Sequence, residues 1–358
     1  MQVDFINPGA SNATSETGEF WVMVSEFIKA AAQDLEIDLD IHYAQREYVK
    51  MIDLTKKVVQ NESKPDYLLL VNEKLIAQRL LTIVSGSDIK VLLILNDLTK
   101  QQKQEIMASE KLSRQLIGAI IPDNVSAGYL IAKSLIERGL EKKDTPLQMV
   151  AINGSRVTPA AVDREKGLHK ALKKHSGSVK LRQLTYGEWR EDKGYLKTKV
   201  LLKRYPDTDL IWAANDPMAL GALRAVREKG KVPGEDIFIG GLNWSAKGLS
   251  AVEDNSLVTS VGGHFMVGGW ALLMLHDFHK GCLEIKNNDP GIEIDVFRNI
   301  DKQRVADYKK YFGDQNWNRI DFQEFSKYLN PDLKEYKFGL ESILAHIREG
   351  TANTEKGD

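Results

Sequence analysis

Residues 212–244 read WAANDPMALGALRAVREKGKVPGEDIFIGGLNW. With Leu210 and Ile211 in front, the stretch opens on a short apolar run that ends at Asn215. Asp216 stands at the N-cap of a following helix, Pro217 in its first turn and Gly230 at its end. A second apolar run, IFIGGLN, closes the unit at Asn243. Strand, helix, strand in this order is the building block of a parallel sheet covered by helices.

The same rhythm extends in both directions. Short apolar runs end on asparagine at Asn7, Asn72, Asn96, Asn153, Asn215 and Asn243. Amphipathic segments alternate with them: 19–34, 48–60, 74–85, 100–111 and 124–138, then 159–174, 191–203 and 216–230. Asp123 is the expected N-cap of the fifth of these, and Gly139 lies just past its end. The pattern restarts after residue 140, so two successive α/β sets imply two similar lobes. The expected fold is α/β, with two doubly wound parallel-sheet lobes joined by a hinge. The lobes are expected at 1–121 plus 265–293 and at 122–264 plus 294–345. The second would carry a polar helical extension from Asp301, and 346–358 would form a frayed tail. Expected crossings between lobes lie near Ile121–Pro122, Gly263–His264 and Ile292–Phe297.

In open parallel sheets, ligands bind beyond the carboxyl ends of the strands. An asparagine amide donates and accepts hydrogen bonds without charge, so several around one crevice suit a neutral, hydroxyl-rich ligand. The competing explanation is that asparagine is common wherever a strand runs into a turn.

The 358 residues exceed one typical core. Apolar content of 42% and charged content of 28% are those of a globular protein. A net charge of −1, with Lys and Arg dispersed, offers no footprint for nucleic acid or anionic membrane. One cysteine, Cys282, excludes an intrachain disulfide and a thiolate metal cluster. No apolar run reaches the ~18 residues of a membrane span. There is no phosphate-binding P-loop, and the turn NPGASNATSETG lacks the glycine spacing of a dinucleotide fingerprint. No Gly-Xaa-Ser-Xaa-Gly nucleophile elbow occurs. His276 and His279 share a helix face but lack a third metal ligand, and a surface face is the expected setting. No catalytic residue, cofactor or metal is expected.

At this point the residues resemble a family. Residues 212–244 resemble the second-lobe signature of ribose-type sugar-binding proteins, which have the type 1 periplasmic-binding-protein fold. IPDNVSAGYLIAKSLIERG (121–139) resembles that family's first crossing, and TPAAVDREKGLHKAL (158–172) the helix that sends an arginine into the cleft. YLLLVNEK (67–74) resembles the strand whose terminal asparagine binds sugar. The length, the Phe20-Trp21 pair and Trp244 also resemble quorum-sensing relatives that bind a furanose-derived autoinducer and signal through a sensor kinase. The resemblance places Asn72, Asn96, Arg164, Asn215 and Asn243 on ligand-binding positions. It places Phe20, Trp21 and Trp189 among cleft aromatics and puts Gly263 or His264 at a hinge crossing. Asn96 and Asn243 stand where such sugar binders usually keep aspartates, so an ordinary pentose or hexose is in doubt.

The chemistry suits the assignment. Arg164 offers a planar fork, though from the residues alone it could equally pair on its helix with Asp163 or Glu165. Trp21, Trp189 and Trp244 offer platforms for C–H faces, and the latter two follow strand ends. Core packing is the alternative for Trp21. His264, among the glycines of VGGHFMVGG, is either a ligand contact at the hinge or a packed, hydrogen-bonded histidine. Glu73 and Asp97 either bind hydroxyls from the rim or cap loops.

The resemblance implies a monomeric periplasmic solute-binding protein that presents a small sugar-like ligand to an ABC permease or a sensor histidine kinase. Two other classes compete. The effector domain of a lactose-repressor-type regulator shares the fold, but the first strand at Val3 leaves no room for a helix-turn-helix unless the chain is truncated. A nucleotide-dependent enzyme would need the phosphate loops that are missing.

Overall fold

A computed structural model describes residues 1–12, 19–144, 146–285 and 291–354. The first sheet contains β1 (Gln2–Asn7), β2 (Asp38–Tyr43), β3 (Tyr67–Leu70), β4 (Lys90–Ile94) and β5 (Leu116–Pro122). The second contains β6 (Leu147–Asn153), β7 (Val179–Tyr186), β8 (Leu210–Ala213), β9 (Phe238–Leu242) and β10 (Thr259–Gly262). Two short strands, β11 (Ile292–Ile294) and β12 (Arg298–Ile300), complete one edge of each sheet. The orders are β11-β5-β4-β3-β1-β2 and β12-β10-β9-β8-β6-β7. Each lobe thus repeats one doubly wound topology. Every pairing is parallel except β10 with β12.

Helices α1 (Phe20–Asp34), α2 (Tyr48–Gln60), α3 (Ala77–Val84), α4 (Lys100–Met107) and α5 (Glu110–Ser113) connect the strands of the first sheet. In the second lobe α6 (Asn124–Leu140) precedes β6, and α7 (Pro159–Lys174), α8 (Glu191–Arg204), α9 (Asp216–Glu228) and α10 (Ala246–Glu253) link its strands. β3 and β8 are buried at every position, as strands covered by helices on both faces must be. Their Leu, Ile and Trp side chains fill the space on both sides.

The chain passes between sheets at 122–124, at 263–266 and at 294–298. After the second passage α11 (Val267–His279) packs on α1, β4 and β5 of the first lobe. The last two passages touch. Gly263 has φ +111°, and a Cβ there would meet the Val296 carbonyl oxygen at 2.0 Å, so only glycine fits.

The strand-end asparagines fall on the same three strands of each lobe: β1, β3 and β4, then β6, β8 and β9. Their roles follow the repeat. Asn7 donates to the Trp21 carbonyl and Ser25 Oγ and accepts from Gly9 N–H. Asn153 donates to the Ala161 carbonyl and Glu165 and accepts from Gly154 N–H. Both are buried loop-shapers that tie a strand end to the next helix.

The helix cap after β8 differs from expectation. Asn215, not Asp216, is the N-cap of α9, and its Oδ1 accepts from Met218 N–H at 3.0 Å. Asp216 is fully buried and accepts from Ser245 N–H, Ser245 Oγ and Ser260 Oγ at 2.8–3.0 Å. It staples α9 to the loop after β9 and to β10. Burial pushes its carboxyl up to about 6 from 3.8, against the pull of those hydrogen bonds. A raised folded-state value means the folded protein holds the proton more tightly. The stability it contributes is therefore complete below pH ~4 and is lost as pH rises through ~6. Urea midpoints of the wild type and of Asp216→Asn at pH 4, 5, 6 and 7 check this. The difference between the two proteins should vary over pH 4–6 and flatten above it.

The segment after β12 is not helical throughout. α12 (Lys302–Phe312) packs on α10 of the second lobe, where Tyr308 meets Trp244. From Trp317 the chain runs in short turns over the first lobe instead. Trp317 and Phe322 pack on Phe27 of α1, and Phe325 and Phe338 on Trp270 of α11. Asp34 accepts from the N–H groups of Phe322 and Gln323. Buried Asp277 accepts from Ser326 Oγ, Lys327 N–H and Tyr336 OH. The assignment of 294–345 to the second lobe is thus corrected, because the aromatics after residue 316 find their apolar partners on α1 and α11. α13 (Leu340–Thr354) then returns to α12, with Arg348 paired to Asp307. The expected frayed tail is helical to Thr354, and 355–358 lie outside the described residues. The same covering buries His276, so its helix face is not the surface face expected. His279 meets Tyr67 OH at 3.0 Å. No group of three metal-ligating side chains occurs among the described residues.

Candidate functional site

The carboxyl ends of both sheets face one cavity between the lobes. It encloses about 600 Å³, its open mouth included. Eight of the ten expected residues line it: Phe20, Trp21, Asn96, Arg164, Trp189, Asn215, Asn243 and His264.

Asn72 and Trp244 do not. Asn72 is fully buried and its amide is spent within the first lobe. It donates to the Asp97 carbonyl and Gln102 Oε1 and accepts from Ala77 N–H. Trp244 is 1% exposed, donates its indole N–H to the Ser260 carbonyl, and packs against Phe265 and Tyr308. Both follow strand ends as expected, but their side chains turn into the core.

Arg164 reaches the cavity from α7 of the second lobe. α7 crosses α6 so closely that a Cβ at Gly128 would sit 1.9 Å from the Arg164 carbonyl oxygen. That contact brings the α7 backbone near enough for its arginine to reach the strand ends. The guanidinium is 4% exposed. Nε donates to Asn124 Oδ1 at 2.9 Å and Nη1 to the Ala214 carbonyl at 2.8 Å. No carboxylate pairs with it among the described residues, so neither Asp163 nor Glu165 is its partner. Burial alone pushes it down to about 9. The Trp189 ring lies 5.4 Å from the guanidinium carbon and sits against Gly154, where a Cβ would be 2.1 Å from an indole carbon.

The asparagines offer different amounts of free capacity. Asn215 caps α9 and donates to the Trp189 carbonyl at 2.9 Å. Asn96 accepts from Ala160 N–H of the opposite lobe at 3.2 Å, and its amide N–H groups have no partner among the described residues. Asn243 makes no side-chain hydrogen bond among the described residues. A second interlobe contact runs from Ala246 N–H to the Glu19 carboxylate.

His264 is sandwiched between Phe20 and Phe297, with ring centroids 4.4 and 5.0 Å away. Its Nδ1 is buried without a partner. Burial, with a smaller push from Arg164, holds the imidazole well below its usual range and therefore neutral at pH 7. Of the two possible settings, it has the packing of a core residue and the position of a cavity residue.

Several lining residues were missed. Arg46 donates to Glu73 Oε1 at 2.9 Å and lies 5.9 Å from the Trp21 ring. It sits in the β2–α2 loop with φ +65°, a geometry that no sequence pattern announces. Asn124, Thr158 and Ala160 line the cavity from the first turns of α6 and α7. Asn124 was legible only as part of the crossing. Of the two rim candidates, Glu73 reaches the cavity, whereas Asp97 turns away to Lys103 at 2.5 Å.

Two similar lobes thus face one cavity lined by hydrogen-bonding and aromatic side chains. Residues 9–281 match the periplasmic binding protein domain, and the chain belongs to that family. It is similar to the ribose import binding protein of Escherichia coli (strain K12), 29% identical over 147 residues, 41% of this chain and 47% of that protein. It is similar to the galactofuranose-binding protein of the same organism, 28% identical over 145 residues, 40% of this chain and 44% of that one. The chain spans under half the length of these curated relatives. A solved periplasmic sugar-binding protein from Pseudomonas fluorescens is 39% identical, with a TM-score of 0.84, covering 96% of this chain and 99% of that one. A match to a transcriptional regulator of Thermobifida fusca, 32% identical, reaches only 33% of this chain. No helix among the described residues is long and apolar enough to cross a membrane.

Proposed function

We propose that this protein is a periplasmic solute-binding protein that captures a sugar or sugar-like ligand between its lobes. The observation that carries this reading is the cavity where both sheets end. Trp21 and Trp189 are among its lining residues, and its polar groups include Asn96, Asn215, Asn243 and Arg164. Indole faces pack sugar C–H surfaces, and amide and guanidinium groups bond hydroxyls. Ligand held by one lobe recruits the other and shifts an open–closed equilibrium. Asn96 to Ala160 and Glu19 to Ala246 are contacts of the closed form. The closed monomer then presents a surface to its membrane partner, an ABC permease or a sensor kinase. The chain itself does no chemistry.

Isothermal titration of ligand-stripped protein against sugars, sugar acids, polyols and furanones tests the reading, with amino acids and short peptides as controls. Micromolar or tighter binding of a hydroxylated ligand is expected. Tight binding of an amino acid or peptide, with none of any hydroxylated compound, would overturn it.

A further inference from the structure

We propose that the ligand is a sugar acid, a hydroxylated molecule whose single carboxylate docks on Arg164. This rests on the reading of the cavity as a sugar site and narrows its chemistry. The expectation of a neutral ligand came from the asparagines; the charges around them point elsewhere.

Two guanidiniums, Arg46 and Arg164, and one carboxylate, Glu73, line the cavity. Arg46 and Glu73 neutralise each other at 2.9 Å. Among the described residues, Arg164 is left as the uncompensated charge. Its two protein acceptors are neutral, an amide oxygen and a backbone carbonyl. A buried cation without a counter-ion is costly, and closure of the lobes takes it further from water. A ligand carboxylate removes that cost by supplying the missing charge in the planar geometry the fork accepts.

The surroundings agree. Asn96 and Asn243, on equivalent strands of the two lobes, line the cavity as uncharged amides and supply no carboxylate to it. α7 starts at the cavity with no acidic residue in its first turn, and its N-terminal end carries partial positive charge. Thr158 Oγ1, 3% exposed at the N-cap of α7, has no partner and can donate to a carboxylate. His264 Nδ1, equally buried, is also unpartnered. A single negative charge balances the cavity; a phosphate ester would overshoot it.

Titration of the ligand-stripped full chain against matched pairs tests this: galactose and galacturonate, glucose and gluconate, ribose and ribonate, with glucose 6-phosphate alongside. At least one acid is expected to bind about 100-fold or more tightly than its neutral parent. Raising salt should weaken the acid more than the parent. Asn96→Asp keeps the acceptor for Ala160 N–H and adds a carboxylate to the cavity. It is expected to weaken the acid at least tenfold more than it weakens the neutral parent. Circular dichroism and a thermal melt establish that the variant folds, and the wild-type preference stands as a test without it. Neutral sugars binding as tightly as their acids would overturn the inference and leave the sugar reading standing. Tighter binding of the phosphate ester would overturn the carboxylate. No binding of any member would overturn both.

Discussion

Arg164→Met is expected to weaken ligand binding by about 100-fold or more. The guanidinium is a charged fork lining the cavity, and a charge-assisted, paired contact is the strongest a small polar ligand can make there. The same change should move the melting temperature of the unliganded protein by only a few degrees. It removes two hydrogen bonds, to Asn124 and to the Ala214 carbonyl, and also removes a buried cation that has no counter-ion. These effects oppose each other. Arg164→Lys keeps the charge but cannot bridge Asn124, Ala214 and a ligand together, and should fall between. Titration and a thermal melt on each protein check the pair of expectations. A variant that binds as tightly as the wild type would show that the arginine is structural only.

Trp270→Ala is expected to destabilise the fold by about 4 kcal/mol. Trp270 is fully buried on α11, stacked by Phe338 at 4.7 Å and flanked by Phe27, Phe322 and Phe325 within 5.4 Å. Three of those four rings belong to the C-terminal segment. Truncation leaves an indole-sized void that rings anchored on separate turns cannot jointly fill. Urea unfolding measures the loss. Limited proteolysis should then cut within 317–338 well before the rest of the chain. Wild-type resistance to cleavage there, with a loss under about 1 kcal/mol, would contradict the anchoring role.

Much of the site was legible because strand ends are legible. Each of the six asparagines ends an apolar run, and the topology sends all those ends to one side of the sheets. What each amide does was not legible. Asn96 and Asn243 keep free hydrogen-bonding groups in the cavity, whereas Asn72 is consumed by Asp97, Gln102 and Ala77. The difference lies in partners from other elements. Trp244 was misplaced for a related reason: it follows a strand end, but the Ser260 carbonyl and the rings of Phe265 and Tyr308 draw it inward. Asp216 was misread as the cap of α9, which is Asn215, because a carboxylate before proline looks like a cap until Ser245 and Ser260 are brought to it. The path of the C-terminal segment was hidden for want of periodicity. Its aromatics sit in turns and extended chain, and only their partners show where they dock.

The sequence by itself determined the two α/β lobes and the gathering of strand-end asparagines between them. These follow from local periodicity and chain connectivity, which act over tens of residues. Only the tertiary structure decided which polar groups remain unspent. Hydrogen-bond capacity and charge balance are settled by neighbours far apart in the chain, as when Asn124 and Ala214 take Arg164 without neutralising it.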